Sequence, residues 1–238
     1  DVQTILGSGL KSFCREPVLE DGAVTWKPVT EESLDTSVLR PVDEPFNDHG
    51  GLRLVKGNLG RAVIKSSAVK EKYHRIKAPA RVFDSQRGFV DAFNRGEFST
   101  DMVMVLTHQG PTSNGMPELH QLMPFMGVLQ RSGLNVALLT DGRLSGASGE
   151  ILSAIHLTPD TLSNGLIGKV QDGDMVLIDA EAGIVEVDVP DQILSQRPEP
   201  GPGSEESSNG LGRELFDVFR RHVGDTEAGA TVLKALGS

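Results

Sequence analysis

The sequence predicts an α/β domain. Two short segments with unbroken apolar centres, MVMVL (102–106) and NVALLT (135–140), are each followed by a loop that contains glycines. A helical pattern separates them, and short β-type runs with Gly turns lie on either side. Continuous apolar runs of this length suit central strands buried on both faces, and strands alternating with helical patterns form α/β units.

Taken in order, residues 1–48 carry few periodic signals. DVQTILGSGLKSF suits a short helix, Pro17, Pro28, Pro41 and Pro45 punctuate the stretch after it, and the whole reads as a connecting arm. The main domain is expected over 49–194. There LRLV (52–55) and RAVIK (61–65) flank a KGNLG turn as a hairpin, and APARVF (78–83) is a strand leading into a helix. That helix places Phe89, Val90 and Phe93 on one face, with Asp84 or Ser85 as cap and Gly96 as stop. ELHQLMPFMGVLQRSG is helical in pattern, kinked or divided by Pro124, and EILSAIHL is a helix by its spacing. LIGKV, DMVLID and IVEVDV read as a β meander. Residues 195–210, SQRPEPGPGSEESSNG, have linker composition, and 211–238 regain helical spacing that would bury Leu215, Phe216, Phe219 and Val223.

Composition narrows the function classes. The 238 residues carry 23 Lys plus Arg against 33 Asp plus Glu, a formal charge of -10, which argues against nucleic-acid and anionic-membrane partners. Aromatics are few, so stacking surfaces for single strands are missing too. Cys14 is the only cysteine, so the chain forms no internal disulfide and cannot supply the several thiolates of an iron-sulfur cluster. No apolar run reaches about 18 residues and the start resembles no signal peptide, which makes a cytoplasmic location the expectation. A first residue of Asp rather than Met is expected of a piece of a longer polypeptide.

Two loops stand out as sites. Thr140–Gly149 (TDGRLSGASG) lies between a buried strand and the expected helix, where glycines permit close approach and a helix N-terminus would attract an anion. It matches neither a P-loop nor a nucleophile elbow. Ser145 or Ser148 as an ordinary cap, Arg143 as anion anchor or loop tie, and Asp141 as functional or as an Asx turn all stay open. The second loop, HQGPTSNGMPELH (108–120), comes after the other buried strand; Glu118 there either favours a helix dipole or ligates a hard cation. His108, His120 and His156 fit no short zinc motif.

The strings GGLRLVKGNLGRAVIKSSAV, APARVFDSQ, HQGPTSNGMPELH, TDGRLSGASGE, AIHLTPD and KVQDGDMVLID, with a terminal GRELF, together resemble the C-terminal part of the dihydroxyacid and phosphogluconate dehydratase family. The likeness is nearest to the branch that acts on 6-phosphogluconate. It implies a swivelling β/β/α domain with a barrel-like mixed sheet and flanking helices, packed on an N-terminal dehydratase domain of the same polypeptide. That other domain would hold the iron-sulfur cluster and most ligands of Mg2+. A homodimer and a small sugar-acid substrate are implied as well. By the family pattern Ser145 is the base, Glu118 completes the magnesium site, and Asp141, Gly142, Arg143, Gly146 and Ser148 bind substrate. Since an unassisted serine is far too weakly acidic to take a C2 proton, strong local positive charge must ionise it.

Two positions depart from the pattern. Thr112 and Glu150 stand where such proteins usually have Lys, so phosphate recognition falls to Arg143, to loop N–H groups or to another chain. The rival expectations are a dehydratase for another sugar acid or a branched-chain dihydroxyacid, and a non-catalytic swivel domain that binds a partner or anion.

Overall fold

The structure, a computed structural model, describes residues 2–29, 32–145, 149–201, 203 and 210–233, without the side chains of Ser12 and Leu211. The chain divides into two units, residues 1–49 and 50–238.

In the first unit β1 (Gln3–Thr4) pairs with β2 (Gly7–Ser8), and a 3-10 turn comes next at Lys11–Phe13. The short helix expected there is thus strands and a turn. Beyond it, β3 (Arg15–Glu20) and β4 (Ala23–Pro28) form an antiparallel hairpin. Its two-residue loop, Asp21-Gly22, has φ of 49° and 80°, the conformation that lets a tight turn match the strand twist. The Asp-Gly pair was the sequence signal for this hairpin, within a stretch that otherwise reads only as an arm.

The second unit is a closed barrel of eight strands. In chain order these are β5 (Leu52–Gly57), β6 (Gly60–Lys65), β7 (Arg75–Phe83), β8 (Met102–Leu106), β9 (Val136–Thr140), β10 (Leu152–Thr158), β11 (Met175–Asp179) and β12 (Ile184–Val187). Round the barrel they run β10, β6, β5, β12, β11, β7, β8, β9 and back to β10. The β7-β8-β9-β10 run is parallel, as is β12 on β5; the other pairs are antiparallel. Closure depends on close approach at Gly57, where a Cβ would lie 1.8 Å from the Val185 carbonyl oxygen.

Among the described residues six helices accompany the barrel: α1 (Gln86–Asn94), α2 (Pro111–Asn114), α3 (Met123–Arg131), α4 (Asp191–Gln196), α5 (Leu211–Leu215) and α6 (Asp217–His222). Ser85 caps α1 by accepting from the Gly88 N–H at 3.2 Å. Pro124 divides its segment as expected, separating a 3-10 turn at His120–Leu122 from α3.

The mixed α/β class and barrel-like sheet are therefore as the sequence led one to expect, and the core shows why. Val103 and Val105 of β8, with Ala137 and Leu139 of β9, join Ile64, Val176 and Val185 in one buried cluster. Their neighbours Met102, Met104, Leu106, Val136 and Leu138 join Phe89 of α1 and Met126 of α3 in a second. Successive strand residues point to opposite faces, so one set fills the barrel and the other meets the helices. Both faces being buried, neither strand alternates with polar residues.

Three further expectations change. EILSAIHL is strand β10, held between β9 and β6. LIGKV supplies a 3-10 turn at Leu166–Lys169, so the meander has two strands, β11 and β12, and no third. At the C-terminal end Leu215, Phe216 and Phe219 are 66%, 53% and 49% exposed rather than buried. Of the expected linker, residues 202 and 204–209 lie outside the described residues. Its described part is fastened: Arg197 donates to Asp174 at 2.9 Å and to the Lys169 carbonyl at 2.9 Å, and Gly201 O lies 2.7 Å from His108 Nε2.

Candidate functional site

The loops that leave the C-terminal ends of parallel strands β8 and β9 converge. Their deepest link is Asp141, which is fully buried. Its Oδ1 accepts from the Gln109 N–H at 2.9 Å, and its Oδ2 accepts from the Thr161 N–H at 3.0 Å and the Thr161 hydroxyl at 2.7 Å. One carboxylate thus ties together the β8 loop, the β9 loop and the segment after β10. Asp141 has no surface left to offer a substrate, so its place in the expected binding set becomes that of a bracket beneath the site.

Burial pushes the Asp141 carboxyl up, against the pull of its Thr161 and Gln109 donors. A raised folded-state pKa means that the native chain binds this proton more tightly than the unfolded chain does. The resulting stability is full below the ordinary value of 3.8 and is lost as pH rises toward the raised value. Asp141→Asn is expected to destabilise the chain by about 1–3 kcal/mol, because either amide orientation sets an NH2 group against a backbone N–H. Denaturant titrations of both forms from about pH 4 to 8 check this: the wild-type advantage should be largest at the acid end.

Gly142 lies directly above Asp141. A Cβ there would sit 2.7 Å from Gln109 Cβ and 2.9 Å from Leu119 Cδ1, so the two loops touch only because the residue is glycine. Its carbonyl accepts from the His156 N–H at 2.8 Å.

Glu118 and Arg143 then pair as a parallel β-bridge, with the Leu119 N–H donating to the Arg143 carbonyl at 3.3 Å. The side chains repeat the link: Arg143 Nε donates to the Met116 carbonyl at 2.6 Å, and Nη1 to Glu118 Oε2 at 3.2 Å. Glu118 Oε1 accepts from the Ser145 N–H at 2.8 Å. Glu118 is therefore not in the first turn of a helix, and the dipole alternative falls. Pro117-Glu118 has the look of a helix start, but the loop pairs with its neighbour first and turns 3-10 only at His120.

This arrangement brings Glu118, Arg143 and the Ser145 backbone into direct contact at a rim that is partly open: the side chains of Arg143 and Glu118 are 48% and 33% exposed. Ser145 also lines a cavity of about 280 Å³ with His156, whose imidazole is held below its usual range by burial and by Arg143. Nothing in the sequence singled out His156 for this place, since its spacing could be weighed only against zinc. Gly146 and Ser148, the rest of the expected substrate set, lie outside the described residues. Because β10 is a strand, the described residues offer no helix N-terminus to an anion here.

Thr112, at a position where Lys was expected, donates to Asp160 at 3.1 Å and fastens the β8 loop to the segment after β10. Among the described residues no group of three or more His, Cys, Asp or Glu side chains is placed to hold a metal ion. The residues nonetheless fit one part of a magnesium site, because Glu118 offers a partly exposed carboxylate oxygen at the rim. They do not fit an iron-sulfur cluster, since the chain's single thiol, Cys14, is exposed and lies in the first unit. Among the described residues no helix is long and apolar enough to cross a membrane.

The chain is thus a closed mixed barrel that carries a charged serine loop where two parallel strands end. The family is settled by comparison: residues 37–230 match the model described as dihydroxy-acid/6-phosphogluconate dehydratase C-terminal, and the chain belongs to that family. It is 48% identical over 231 residues to a phosphogluconate dehydratase of Pseudomonas aeruginosa, covering 97% of this chain and 38% of that protein. Against the phosphogluconate dehydratase of Escherichia coli K12 the identity is 45%, over 98% of this chain and 39% of the relative. A dihydroxy-acid dehydratase of Halothermothrix orenii is more distant, at 35% over 84% of this chain and 36% of its own length. The chain thus spans about two-fifths of the length of the curated relatives it matches.

Proposed function

We propose that this chain is the C-terminal part of a hydro-lyase that converts 6-phosphogluconate to 2-keto-3-deoxy-6-phosphogluconate by loss of water. The observation that carries the reading is the Glu118–Arg143–Ser145 clamp, which holds a carboxylate, a guanidinium and the backbone of the serine loop at one rim. Identity to phosphogluconate dehydratases above that to a dihydroxy-acid dehydratase supports the substrate choice.

In this reading Ser145 Oγ takes the C2 proton and Arg143 orients the substrate carboxylate. Two of the five guanidinium N–H donors of Arg143 are committed to Met116 and Glu118, which leaves donors for an anion. His156, whose imidazole burial and Arg143 disfavour in the protonated form, lines the same cavity and would be available as a second proton acceptor. Glu118 would give one oxygen to a divalent cation, with the remaining ligands from outside the described residues. When bound, that cation supplies positive charge that lowers the serine pKa and favours departure of hydroxide. The iron-sulfur cluster implied by the resemblance would be held by an N-terminal domain of the same polypeptide, and no step of this chain's chemistry is assigned to it. A cytoplasmic location and a homodimer belong to the same reading.

The test is turnover by the full-length protein on 6-phosphogluconate, gluconate and 2,3-dihydroxyisovalerate, read as 2-keto acid formation. The expected result is the highest kcat/KM on 6-phosphogluconate. A preference for the branched-chain acid overturns the substrate assignment, and no turnover of any of the three overturns the dehydratase reading.

A further inference from the structure

The exposed faces of α5 and α6 are one wall of an open cleft of about 860 Å³. The β8 loop at Asn114 and Met116 lines it as well, and so does Arg143. Phe216, Phe219 and Val223 make much of the lining apolar, yet two further arginines, Arg213 and Arg220, enter the same space.

The charge on Arg213 is poorly matched. It donates through Nη1 to Asn114 Oδ1 and through Nη2 to the Ser113 carbonyl at 3.0 Å, both uncharged oxygens. Its Nε is buried with no hydrogen-bond partner, and so is Ser113 Oγ at the same junction. Arg220 adds a second cation beside it, with Nη2 donating to the Arg213 carbonyl at 2.7 Å. The acid within reach, Asp217, is already shared between Arg220 at 3.4 Å and Arg221 at 2.5 Å. Burial and the Arg220 charge both hold the Arg213 guanidinium below its ordinary pKa, and Asp217 offsets them only in part.

Buried donors without partners cost free energy and demand a reason. Two guanidinium groups on an apolar floor, one lacking a carboxylate, are under-neutralised in a setting that strengthens charge-charge attraction. A tetrahedral dianion with several acceptor oxygens meets the charge. It would neutralise the pair and accept from planar N–H forks.

We propose that this cleft seats the terminal phosphate of the substrate, with Arg213 as the residue that sets specificity for a phosphorylated over an unphosphorylated sugar acid and Arg220 as its partner. The inference rests on the dehydratase reading and extends it. Arg143, shared by the cleft and the Glu118–Ser145 clamp, would then stand between the phosphate end and the carboxylate end of one bound chain.

The experiment uses the full-length holoenzyme and its Arg213→Gln, Arg213→Lys and Arg220→Gln variants. Arg213→Gln is expected to raise KM for 6-phosphogluconate about 10- to 100-fold, the worth of a charge-assisted bond, with a smaller effect on kcat. Inorganic phosphate should compete with substrate and raise the melting temperature of the wild type, and both effects should fade in Arg213→Gln and return in part in Arg213→Lys. Arg220→Gln, which leaves the Asn114 bond intact, should shift KM in the same direction and carries the test if Arg213→Gln fails to fold. Unchanged KM and unchanged phosphate response in the folded variants would overturn the proposal. So would a lowered melt and kcat at constant KM, the mark of a latch between α5 and α2 or of a cleft filled by another polypeptide segment. A wild type that phosphate stabilises through Arg213 but that does not turn over 6-phosphogluconate would sink the dehydratase reading and leave the anion site standing.

Discussion

Ser145→Ala in the full-length protein is expected to lower kcat by a factor on the order of 10²–10⁴, the usual contribution of a positioned base, with little change in bound metal. The substitution leaves the backbone bonds of the loop in place. Glu118 holds Ser145 by its backbone N–H at 2.8 Å, and that bond does not involve the side chain. The bridge to Arg143 is likewise unaffected, as are the Asp141 bonds beneath it. What is removed is the hydroxyl, with the contact it makes, at a residue that lines the same cavity as His156. The measurements are kcat and metal content of the purified variant, with solvent exchange of the C2 proton as the readout of the abstraction step. Near-normal turnover, or normal exchange with slow product formation, would leave Ser145 with only its backbone contribution to the loop and would move the base elsewhere.

The elements that could be read from the sequence are those whose burial is decided locally. MVMVL and NVALLT were legible as central strands because the barrel interior and the α1–α3 layer each claim alternate residues, leaving no polar position. The helix at α1 was legible because Ser85, the apolar face and Gly96 agree. EILSAIHL was not, since Ile151, Leu152, Ala154, Ile155 and Leu157 satisfy a helical and an extended period alike. Pairing with both β6 and β9, which no window of sequence displays, decides for a strand.

The same limit applies at the site. The two loops could be selected from their glycines and their place after buried strands, but the role of Asp141 could not. Its partner Thr161 is twenty residues downstream, and only the fold brings the two within 2.7 Å. The spacing of Leu215, Phe216 and Phe219 did mark a helical segment. It misled about burial because those side chains lie exposed along a cleft wall rather than in a core.

Glu118→Gln separates the two roles that remain for this residue. As a tether, Glu118 contributes a partly exposed ion pair with Arg143 and one hydrogen bond to the Ser145 N–H. Glutamine keeps an oxygen for the Ser145 N–H, and the ion pair is worth less than about 1 kcal/mol at such exposure, so a tether alone predicts a slightly lowered melt and an unchanged magnesium requirement. As a ligand, the residue presents an anionic oxygen to a hard cation, and replacement by a neutral amide removes a full charge from the coordination shell. The concentration of magnesium giving half-maximal turnover should then rise by at least the roughly 10- to 100-fold that loss of an outer-shell partner already costs. Excess magnesium should restore part of the rate, which it cannot do for a broken tether. The magnesium titration of turnover in the full-length variant, set beside its thermal melt, distinguishes them. The expected result is a large shift in magnesium dependence with a melt close to wild type. A small loss in melt with the magnesium curve unmoved would confine Glu118 to holding Arg143 and Ser145 in place.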